Sequence, residues 1–224
     1  MVYFRAVRES DAAALAELRR PYAEKYPAKA PDAGSILREI RRLTTAYPYL
    51  VAEVNDQVVG CAFATPLQDD PAYQWDAEVR IYCAEAFHGQ GLGSALMLRL
   101  MRVLTVQGFV HACATVALPN DAALAFLKSF DFAPAGRLPG VAFHQGAWQD
   151  MLWLVRPLAQ LPEFPTPPTP FEGFEREELA ALIRQPLHSD AKAVILSHGG
   201  HEEPLMGVYR TELADAMLEE ITLR

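Results

Sequence analysis

Hydrophobic and polar residues repeat with two different periods along the first 156 residues of the chain. A period of two is typical of strands, whose successive side chains point to opposite faces, and it predicts seven of them. They cover residues 2–7, 49–54, 58–64, 78–83, 110–118, 132–143 and 148–156. A spacing of three and four residues predicts helices over 11–25, from Asp32 with an apolar stripe reaching Leu43, over 92–107 and over 122–130. The pattern therefore predicts a domain of mixed α and β structure.

Turn-forming residues connect two pairs of these strands. Asn55, Asp56 and Gln57 separate the second strand from the third, and Gly146 lies between the last two. Short connections of this kind predict antiparallel hairpins.

A glycine-rich turn joins the strand over 78–83 to the helix over 92–107. Gly89, Gly91 and Gly93 let the backbone approach an anion without a Cβ in the way. The helix that follows offers unpaired N–H groups and the positive end of its dipole. The turn predicts a seat for a pyrophosphate, but by itself an ordinary strand-to-helix turn fits as well, because Gly-x-Gly-x-Gly is neither the dinucleotide fingerprint nor the P-loop.

The surrounding residues add a family resemblance. The run His88-Gly89-Gln90-Gly91-Leu92-Gly93 resembles the Gln/Arg-x-x-Gly-x-Gly/Ala pyrophosphate loop of the GNAT acyltransferase superfamily. Residues 2–156 resemble the phosphinothricin acetyltransferases of that superfamily in the order and spacing of further motifs. These are Tyr73, Glu78, Ile81-Tyr82, Leu118-Pro119-Asn120-Asp121, Gly136-Arg137, Val141, Gly146, Trp148 and Asp150. The resemblance implies the GNAT fold, in which helices flank a mixed, mostly antiparallel central sheet.

The same resemblance implies transfer of an acetyl group from acetyl-CoA to the primary amine of a small, amino-acid-like acceptor. It implies that the coenzyme contacts Ile81, Tyr82, Cys83, His88, Gly89, Gln90, Gly91, Leu92, Gly93, Ser94 and Asn120. A backbone N–H within 81–83 would polarise the thioester carbonyl. Asn120 also precedes a predicted helix, where it would serve as an N-cap, and the two roles are compatible. Dimers are usual in that family, so a homodimer follows by analogy alone.

Glu78 is the predicted catalytic base. Strand alternation places it on one face with Arg80 and Tyr82, and its position matches the active-site glutamate of the resembling family. A carboxylate beside the acceptor would take the ammonium proton directly or through water. The alternative is a structural salt bridge between Glu78 and Arg80.

Four departures from the family pattern bear on activity. His88 replaces the usual Gln or Arg of the pyrophosphate loop, so we expect weaker coenzyme binding. Leu127 stands where relatives carry a Tyr or His, and it cannot protonate the departing thiolate. Asp131 replaces a turn glycine. Gln74 and His144 stand at positions where the resembling family carries basic residues. If those basic residues normally bind a carboxylate of the acceptor, the replacements argue against an acceptor that has one.

Composition narrows the class of protein. A net charge of −8 argues against nucleic acid as a partner. The absence of an apolar run long enough to cross a bilayer argues against a membrane-spanning segment. The chain also opens without a basic-then-apolar leader, so we expect a cytoplasmic protein. Cys61, Cys83 and Cys113 are odd in number and lie in predicted strands, which favours reduced core thiols over disulfides or a metal site. No metal is expected.

The last third of the chain differs from the rest. Six of the fourteen residues from 157 to 170 are proline, which predicts a stiff, extended linker between an acetyltransferase domain over 1–156 and a small α/β appendage over 171–224. The predicted appendage contains a helix over 174–184, strands over 191–196 and 205–209, a helix over 212–220 and a polar loop over 198–203. Twelve acidic and five basic residues follow Arg156. So short a segment is marginal as an independent domain and is expected to dock on something.

The sequence leaves three functions open. The leading one is an acetyl-CoA-dependent N-acetyltransferase for a small amine. The alternative is an acyl-CoA-binding sensor or regulatory module with weak or no catalysis. A third places the function in the acidic tail, where residues 203–209 and the helix after them weakly resemble the closing part of molybdenum cofactor guanylyltransferases.

Overall fold

The computed structural model describes residues 2–184, 196–198 and 201–203. A seven-stranded sheet runs through the molecule in the order β1-β2-β3-β4-β5-β7-β6, and only the β4–β5 pair is parallel. Its strands are β1 Val2–Ala6, β2 Tyr49–Val54, β3 Gln57–Pro66, β4 Asp76–Cys83, β5 His111–Ala117, β6 Ala133–His144 and β7 Ala147–Pro157. The predicted mixed, mostly antiparallel sheet is confirmed, with strand ends within a few residues of those expected.

Among the described residues, five α-helices accompany the sheet: α1 Ala12–Lys25, α2 Ala33–Leu43, α3 Leu92–Gln107, α4 Asp121–Ser129 and α5 Arg176–Arg184. Alternate residues of β3 enter different core clusters, since Cys61 and Phe63 pack with α1 and α2 while Ala62 and Ala64 pack with α3. The period of two has therefore produced a three-layer arrangement, with α1 and α2 on one face of the sheet and α3 on the other.

The β2–β3 hairpin forms where its turn residues predicted it. Asn55 and Asp56 both adopt positive φ angles, of 49° and 62°, between the paired residues Val54 and Gln57. Asn and Asp tolerate this left-handed conformation better than other non-glycine residues, so they set the strand register.

The proline-rich segment after β7 lies along the surface of the domain. Leu158 N–H donates to the Val110 carbonyl, Trp75 Nε1 donates to the Thr166 carbonyl, and Thr169 N–H donates to the Gln107 carbonyl. Phe171, which follows it, is 5% exposed and belongs to the core cluster that contains α3. The segment is thus held against the domain by hydrogen bonds at Leu158, Thr166 and Thr169.

Helix α5 packs on α3 and β1 at the far side of the sheet. Ile183 is 1% exposed within the same core cluster, and its carbonyl accepts a hydrogen bond of 2.7 Å from Arg99 Nε on α3. The Arg99 guanidinium also lies over the Phe4 ring, at 3.8 Å from the ring centroid. Burial lowers the pKa of Arg99 to about 10, so it remains a cation at neutral pH beside the negative end of α5.

Helix α5 matches the helix predicted over 174–184, whereas the rest of the tail is described only in part. Two three-residue strands, β8 Leu196–His198 and β9 His201–Glu203, pair antiparallel, so the expectation of a polar loop over 198–203 is wrong. The missed signal is the Gly-Gly pair between them, which is typical of a two-residue hairpin. The strand expected over 205–209 and the helix over 212–220 lie outside the described residues, as does the strand over 191–196 apart from Leu196.

Candidate functional site

A gap opens between the two parallel strands at the middle of the sheet. The pairing of β4 with β5 covers only Asp76–Glu78 against His111–Cys113, although both strands continue beyond it. The remaining halves diverge, which leaves polar backbone groups at the centre of the sheet facing a space instead of a neighbouring strand.

The backbone of β4 alternates between β3 and this gap. Ala84 N–H donates to the Val59 carbonyl, and the β3–β4 register runs without a shift. Residues of an antiparallel pair alternate in hydrogen bonding, so Tyr82 points its backbone groups at β3, while Ile81 and Cys83 point theirs at the gap. Of the three predicted coenzyme contacts on this strand, two are therefore oriented toward the gap through their backbone.

The glycine turn forms the open N-terminus of α3 beside the gap. Gly89 and Gly91 have φ angles of 75° and 74°, a conformation that L side chains rarely adopt. Gly91 is the N-cap residue and supplies no side-chain cap, so Leu92, Gly93 and Ser94 present first-turn amides without a capping oxygen. Such amides and the helix dipole together suit an anion.

Gly93 serves a different purpose from the other two glycines. It lies inside α3, where an added Cβ would sit 3.5 Å from the Phe126 ring and 3.8 Å from Cys83 Sγ. These are ordinary contact distances. The positive φ angles required by the turn therefore belong to Gly89 and Gly91 alone.

His88 points back at the end of β4 and not toward the open amides. Its Nε2 lies 3.0 Å from the Cys83 carbonyl oxygen and 3.0 Å from the Tyr22 hydroxyl. A carbonyl only accepts, so the hydrogen bond to it places the proton on Nε2. Gln90, the other polar side chain of the turn, donates to the Ala86 carbonyl at 2.6 Å.

Tyr22 of α1 closes this end of the gap. Its hydroxyl donates to the Cys83 carbonyl at 2.7 Å and accepts from the Cys83 N–H at 3.1 Å. Burial raises the pKa of Tyr22 to about 12, so the hydroxyl is neutral and serves as both donor and acceptor. Tyr22 follows the buried Leu15 by seven residues, and this helical spacing was the signal that would have placed it against the sheet.

Asn120 adopts the role of a helix cap. Its side-chain oxygen accepts from the Ala123 N–H at 3.1 Å at the start of α4. The cap uses the carbonyl oxygen only, so the amide nitrogen remains available to a ligand, and the two predicted roles are compatible in this geometry.

Glu78 lies in the interior of β4 with two side-chain partners. Its Oε1 accepts a hydrogen bond of 2.6 Å from Thr115 Oγ1 on β5, and Arg80 Nη2 lies 3.3 Å from both carboxylate oxygens. The Glu78 side chain is 16% exposed and that of Arg80 is 45% exposed. The structure is thus compatible with both roles of Glu78, the structural salt bridge and the catalytic base, because the salt bridge with Arg80 exists and the carboxylate still reaches solvent. The sequence did not single out Thr115 as a partner of Glu78, although Thr115 lies two residues after Cys113 and so shares its face of β5.

A cleft of about 440 Å³ adjoins Arg80 on the α2 side of the sheet. Its lining is formed by α2, β3, β4 and the loop after β3, and includes Glu39, Arg42, Phe63, Thr65, Pro66, Leu67, Gln68, Asp69 and Arg80. Thr65 is the cross-strand partner of Glu78. The cleft therefore reaches the two residues that flank Glu78.

The two ends of the loop over 67–75 contact different parts of the protein. Leu67, Gln68 and Asp69 line the cleft. Trp75 instead holds the proline-rich segment through its Nε1, and Tyr73 is 49% exposed. Arg42 of α2 also lines the cleft, whereas Arg41 pairs with Glu9 at 2.7 Å.

The cysteines offer no nucleophile at this site. Cys61 and Cys83 are buried and Cys113 is half-buried, all three as free thiols, so the prediction of reduced thiols within strands is confirmed. Burial raises the pKa of both Cys61 and Cys83 to about 12 and that of Cys113 to about 11. Thiolate chemistry at neutral pH is therefore unfavourable here.

The residues that depart from the family pattern lie in different surroundings. Leu127 is 6% exposed within the core and offers no proton. Asp131 takes the left-handed conformation, with φ 59°, that the replaced glycine would favour. His144 lies at the β6–β7 turn with Nε2 3.3 Å from the Glu24 carbonyl, and neither it nor Gln74 lines the cleft.

Two further features, a membrane span and a metal cluster, are absent from the part of the chain that the structure describes. Among the residues that the structure describes, no helix combines the length and apolar character needed to span a bilayer. The described part also contains no cluster of three or more His, Cys, Asp or Glu side chains arranged to hold a metal ion.

Comparison with known proteins gives matches to acetyltransferases. Residues 12–132 match the acetyltransferase (GNAT) family. The chain is 30% identical over 173 residues to phosphinothricin N-acetyltransferase of Streptomyces viridochromogenes, across 75% of this chain and 92% of that protein. It is 29% identical over 116 residues to L-methionine sulfoximine/L-methionine sulfone acetyltransferase of Salmonella typhimurium, across 52% of this chain and 67% of that protein.

A solved structure shares the fold. The phosphinothricin acetyltransferase of Sinorhizobium meliloti, determined in complex with AcCoA, superimposes with a TM-score of 0.69 at 24% identity. The match covers 76% of this chain and 98% of that one. At this identity the likeness establishes a common architecture.

Proposed function

The chain belongs to the GNAT acetyltransferase family, and from that premise we propose that it transfers the acetyl group of acetyl-CoA to the primary amine of a small acceptor. The observation that carries the proposal is a juxtaposition. The uncapped N-terminus of α3, the gap between β4 and β5, and the carboxylate of Glu78 follow one another along a single strand and its turn.

The coenzyme would lie along the gap with its pyrophosphate on α3. The amides of Leu92, Gly93 and Ser94 suit the pyrophosphate, and Gly89 and Gly91 give the turn its shape. The gap-facing amide of Ile81 is suitably oriented to polarise the thioester carbonyl. The Asn120 side-chain amide would donate to the coenzyme from the start of α4, while Tyr82 would contribute through its side chain, since its backbone faces β3.

Tyr22 meets this coenzyme path at the end of β4. Its hydroxyl bonds both backbone groups of Cys83, which are the groups that a pantetheine amide in the gap would use. Coenzyme binding through Cys83 therefore requires Tyr22, and the His88 ring beside it, to exchange these bonds for bonds to the ligand.

Acetyl transfer would proceed by direct attack of the amine. Glu78 takes a proton from the acceptor ammonium, directly or through water, and the neutral nitrogen attacks the thioester carbonyl carbon. A C–N bond forms, the C–S bond breaks with its electron pair leaving on sulfur, and the attacking nitrogen, which carries a positive charge after the attack, loses its second proton to solvent water. A thiolate with a pKa of about 8.5 is a tolerable leaving group unaided, which matters because Leu127 supplies no acid.

The buried Leu127 also favours the second candidate, a coenzyme-binding sensor without turnover. One experiment separates the two candidates. The purified protein is titrated with acetyl-CoA by calorimetry and then incubated with acetyl-CoA and a panel of small amines while free thiol is followed. Amine-dependent thiol release supports the enzyme, binding without release on any amine supports the sensor, and absence of binding refutes both.

Assembly and location extend the proposal. Phe143 and Trp148 on β6 and β7 are 62% and 69% exposed, and their apolar surface supports a homodimer through this hairpin. A cytoplasmic protein without membrane or nucleic-acid partners follows from the composition. Light scattering on the purified protein measures the first, and fractionation of cells the second.

The division into an acetyltransferase domain over 1–156, a linker over 157–170 and an appendage over 171–224 remains a proposal. Phe171 and Ile183 support docking of the beginning of the appendage on the catalytic domain, since both enter its core. Truncation after Arg156 tests this. A shortened protein that stays folded, monodisperse and equally active would contradict the docking.

A further inference from the structure

The last turn of α1 joins the two sides of the gap between β4 and β5. On one side, the Tyr22 hydroxyl donates to the Cys83 carbonyl at 2.7 Å and accepts from the Cys83 N–H at 3.1 Å. On the other side, the Glu24 carbonyl lies 3.0 Å from Gln145 Nε2 and 3.3 Å from His144 Nε2, at the tip of the β6–β7 hairpin. This carbonyl is available because the last four carbonyls of a helix have no partner within the helix.

The strand directions place both contacts at the open end of the gap. Strands β4 and β5 are parallel and β7 is antiparallel to β5, so the end of β4 and the tip of the β6–β7 hairpin lie at the same edge of the sheet. The gap divides the sheet into β1 to β4 on one side and β5, β7 and β6 on the other. The last turn of α1 therefore ties these two parts together where their pairing has ended.

Pro21 forms a hinge directly before this turn. It lies inside α1, where proline donates no N–H to the carbonyl one turn earlier and its ring crowds that turn. Before the hinge, the helix is anchored by the fully buried Leu15. After it, Ala23 is buried but small and Glu24 is exposed, so the Tyr22 ring supplies most of the buried apolar area. The last turn can therefore move while the rest of α1 stays packed.

The backbone of Cys83 is fully hydrogen-bonded in this closed arrangement. Its N–H donates to Tyr22, and its carbonyl oxygen lies 2.7 Å from the Tyr22 hydroxyl and 3.0 Å from His88 Nε2. A carbonyl oxygen has two lone pairs, so these two side chains use its whole capacity. A ligand amide that pairs with Cys83 from the gap must first displace the Tyr22 hydroxyl.

We propose that the last turn of α1 is a latch that closes the gap in the free protein, and that the pantetheine arm of acetyl-CoA opens it by replacing Tyr22 at Cys83. The inference rests on the proposed coenzyme site and adds its regulation. Because the arm binds only the open form, the latch lowers the apparent affinity for the coenzyme. Opening also moves Glu24, in the same turn, and so loosens the tip of the β6–β7 hairpin from α1.

The latch acts on one part of the coenzyme only. The amides of Leu92, Gly93 and Ser94 belong to the start of α3, whereas Tyr22 bonds the end of β4. A ligand that carries the nucleotide and the pyrophosphate but no pantetheine arm, such as 3′-phospho-ADP, would occupy α3 without reaching Cys83. It would therefore bind without opening the latch, which distinguishes the latch from a general effect of Tyr22 on the fold.

The test is calorimetric titration of acetyl-CoA and of 3′-phospho-ADP into the full-length wild type, Tyr22→Phe, Gln145→Met and the double variant. Tyr22→Phe removes the hydroxyl but keeps the ring, which packs edge-on against Tyr82 with the centroids 5.0 Å apart. Tyr26→Phe is the matched control, since it removes a hydroxyl from the C-cap residue of the same helix, whose described contact is that of its ring with Lys25.

We expect Tyr22→Phe to bind acetyl-CoA about threefold to tenfold more tightly than the wild type, the net worth of one hydrogen bond, and to bind 3′-phospho-ADP within about twofold. Gln145→Met should tighten acetyl-CoA binding by about twofold, because it loosens the other end of the latch. The double variant should bind no more tightly than Tyr22→Phe alone, since the hairpin contact no longer matters once Cys83 is free. Tyr26→Phe should change neither ligand.

The titrations decide the latch separately from acetyl transfer. Acetyl-CoA binding by Tyr22→Phe that is unchanged or weaker, or an equal tightening of both ligands, would refute the latch. Fully additive effects of Tyr22→Phe and Gln145→Met would show that the hairpin contact is not part of it. If acetyl-CoA binds but no amine releases thiol, acetyl transfer is refuted while the titrations still decide the latch. If neither the wild type nor Tyr22→Phe binds acetyl-CoA, the latch is refuted together with the coenzyme site.

Discussion

Replacement of Glu78 by Gln isolates the proposed base from the structure around it. The amide keeps one oxygen, which can still accept the 2.6 Å hydrogen bond from Thr115 Oγ1. Its NH₂ group would face Arg80 Nη2 in place of a carboxylate oxygen, so the ion pair is lost. The change therefore removes the proton acceptor and the charge while it preserves the shape and one of the two contacts.

The expected magnitudes separate chemistry from folding. General-base catalysis is worth about 10²- to 10⁴-fold in rate, or about 3–5 kcal/mol of transition-state stabilisation. The free energy of unfolding should fall by only about 1 kcal/mol or less, because the partly exposed pair with Arg80 contributes little and the Thr115 bond survives. Acetyl-CoA binding should be unchanged.

The assay is the rate of thiol release at saturating acetyl-CoA from pH 6 to pH 10. Loss of the base matters most at low pH, where the acceptor amine is protonated, and the wild-type and variant rates should converge as the free amine becomes abundant near its own pKa. Thr115→Val is the control, since it removes the hydroxyl that positions Glu78 but keeps the carboxylate, and we expect about a tenfold loss or less. A Glu78→Gln rate within about twofold of wild type at every pH would remove Glu78 from the mechanism.

Three further predictions concern the coenzyme turn, the docked tail and an ion pair. Gly91→Ala should raise the KM for acetyl-CoA and cost about 1–2 kcal/mol of stability, because φ is 74° there, whereas Gly93→Ala, at a helical position with contacts of 3.5 Å or more, should leave both nearly unchanged. Ile183→Ala should lower the free energy of unfolding by about 2–5 kcal/mol, since the side chain is 1% exposed, and a loss as small as that of the 73%-exposed Leu161→Ala would refute its place in the core. Burial opposes the charge of Asp11, but hydrogen bonds from Arg5 at 2.7 and 2.9 Å outweigh burial and lower the pKa of Asp11 below 3.8. The stabilisation that this ion pair gives the folded state is therefore complete above pH 3.8, and it is lost as the pH falls through the lower pKa of the folded protein. Asp11→Asn should therefore cost about 1.5–3 kcal/mol in chemical denaturation at pH 7, since Arg5 keeps its ion pair with Glu53, and the gap to wild type should narrow in acid; a gap independent of pH would contradict the argument.

The local elements of this protein follow directly from its sequence. The period of two along residues 49–64 and the turn residues Asn55 and Asp56 determine a hairpin with one register, because a one-residue slip would move Phe63 from one core to the other. The glycine turn is local in the same sense, since Gly91 needs a positive φ and the helix after it needs no partner to expose its amides. These features depend on neighbours in the chain, which the sequence displays.

The site depends on contacts between distant segments, which no local pattern contains. Tyr22 meets Cys83 across 61 residues, and Thr115 meets Glu78 across 37. Arg42 is indistinguishable from Arg38 and Arg41 by helical spacing alone, yet of these three only Arg42 lines the cleft, opposite Leu67, Gln68 and Asp69 of the loop after β3.

The glycine turn and the motifs around it predicted the family from sequence alone, and the turn and the strand before it predicted a coenzyme seat, since both are continuous stretches of chain with strong conformational preferences. Only the tertiary structure decided that β4 and β5 diverge after three paired residues, that Tyr22 and His88 hold the end of the gap, and that Phe171 and Ile183 join the catalytic core. The physical reason is that packing and long-range hydrogen bonding choose among surfaces that the local pattern leaves equivalent.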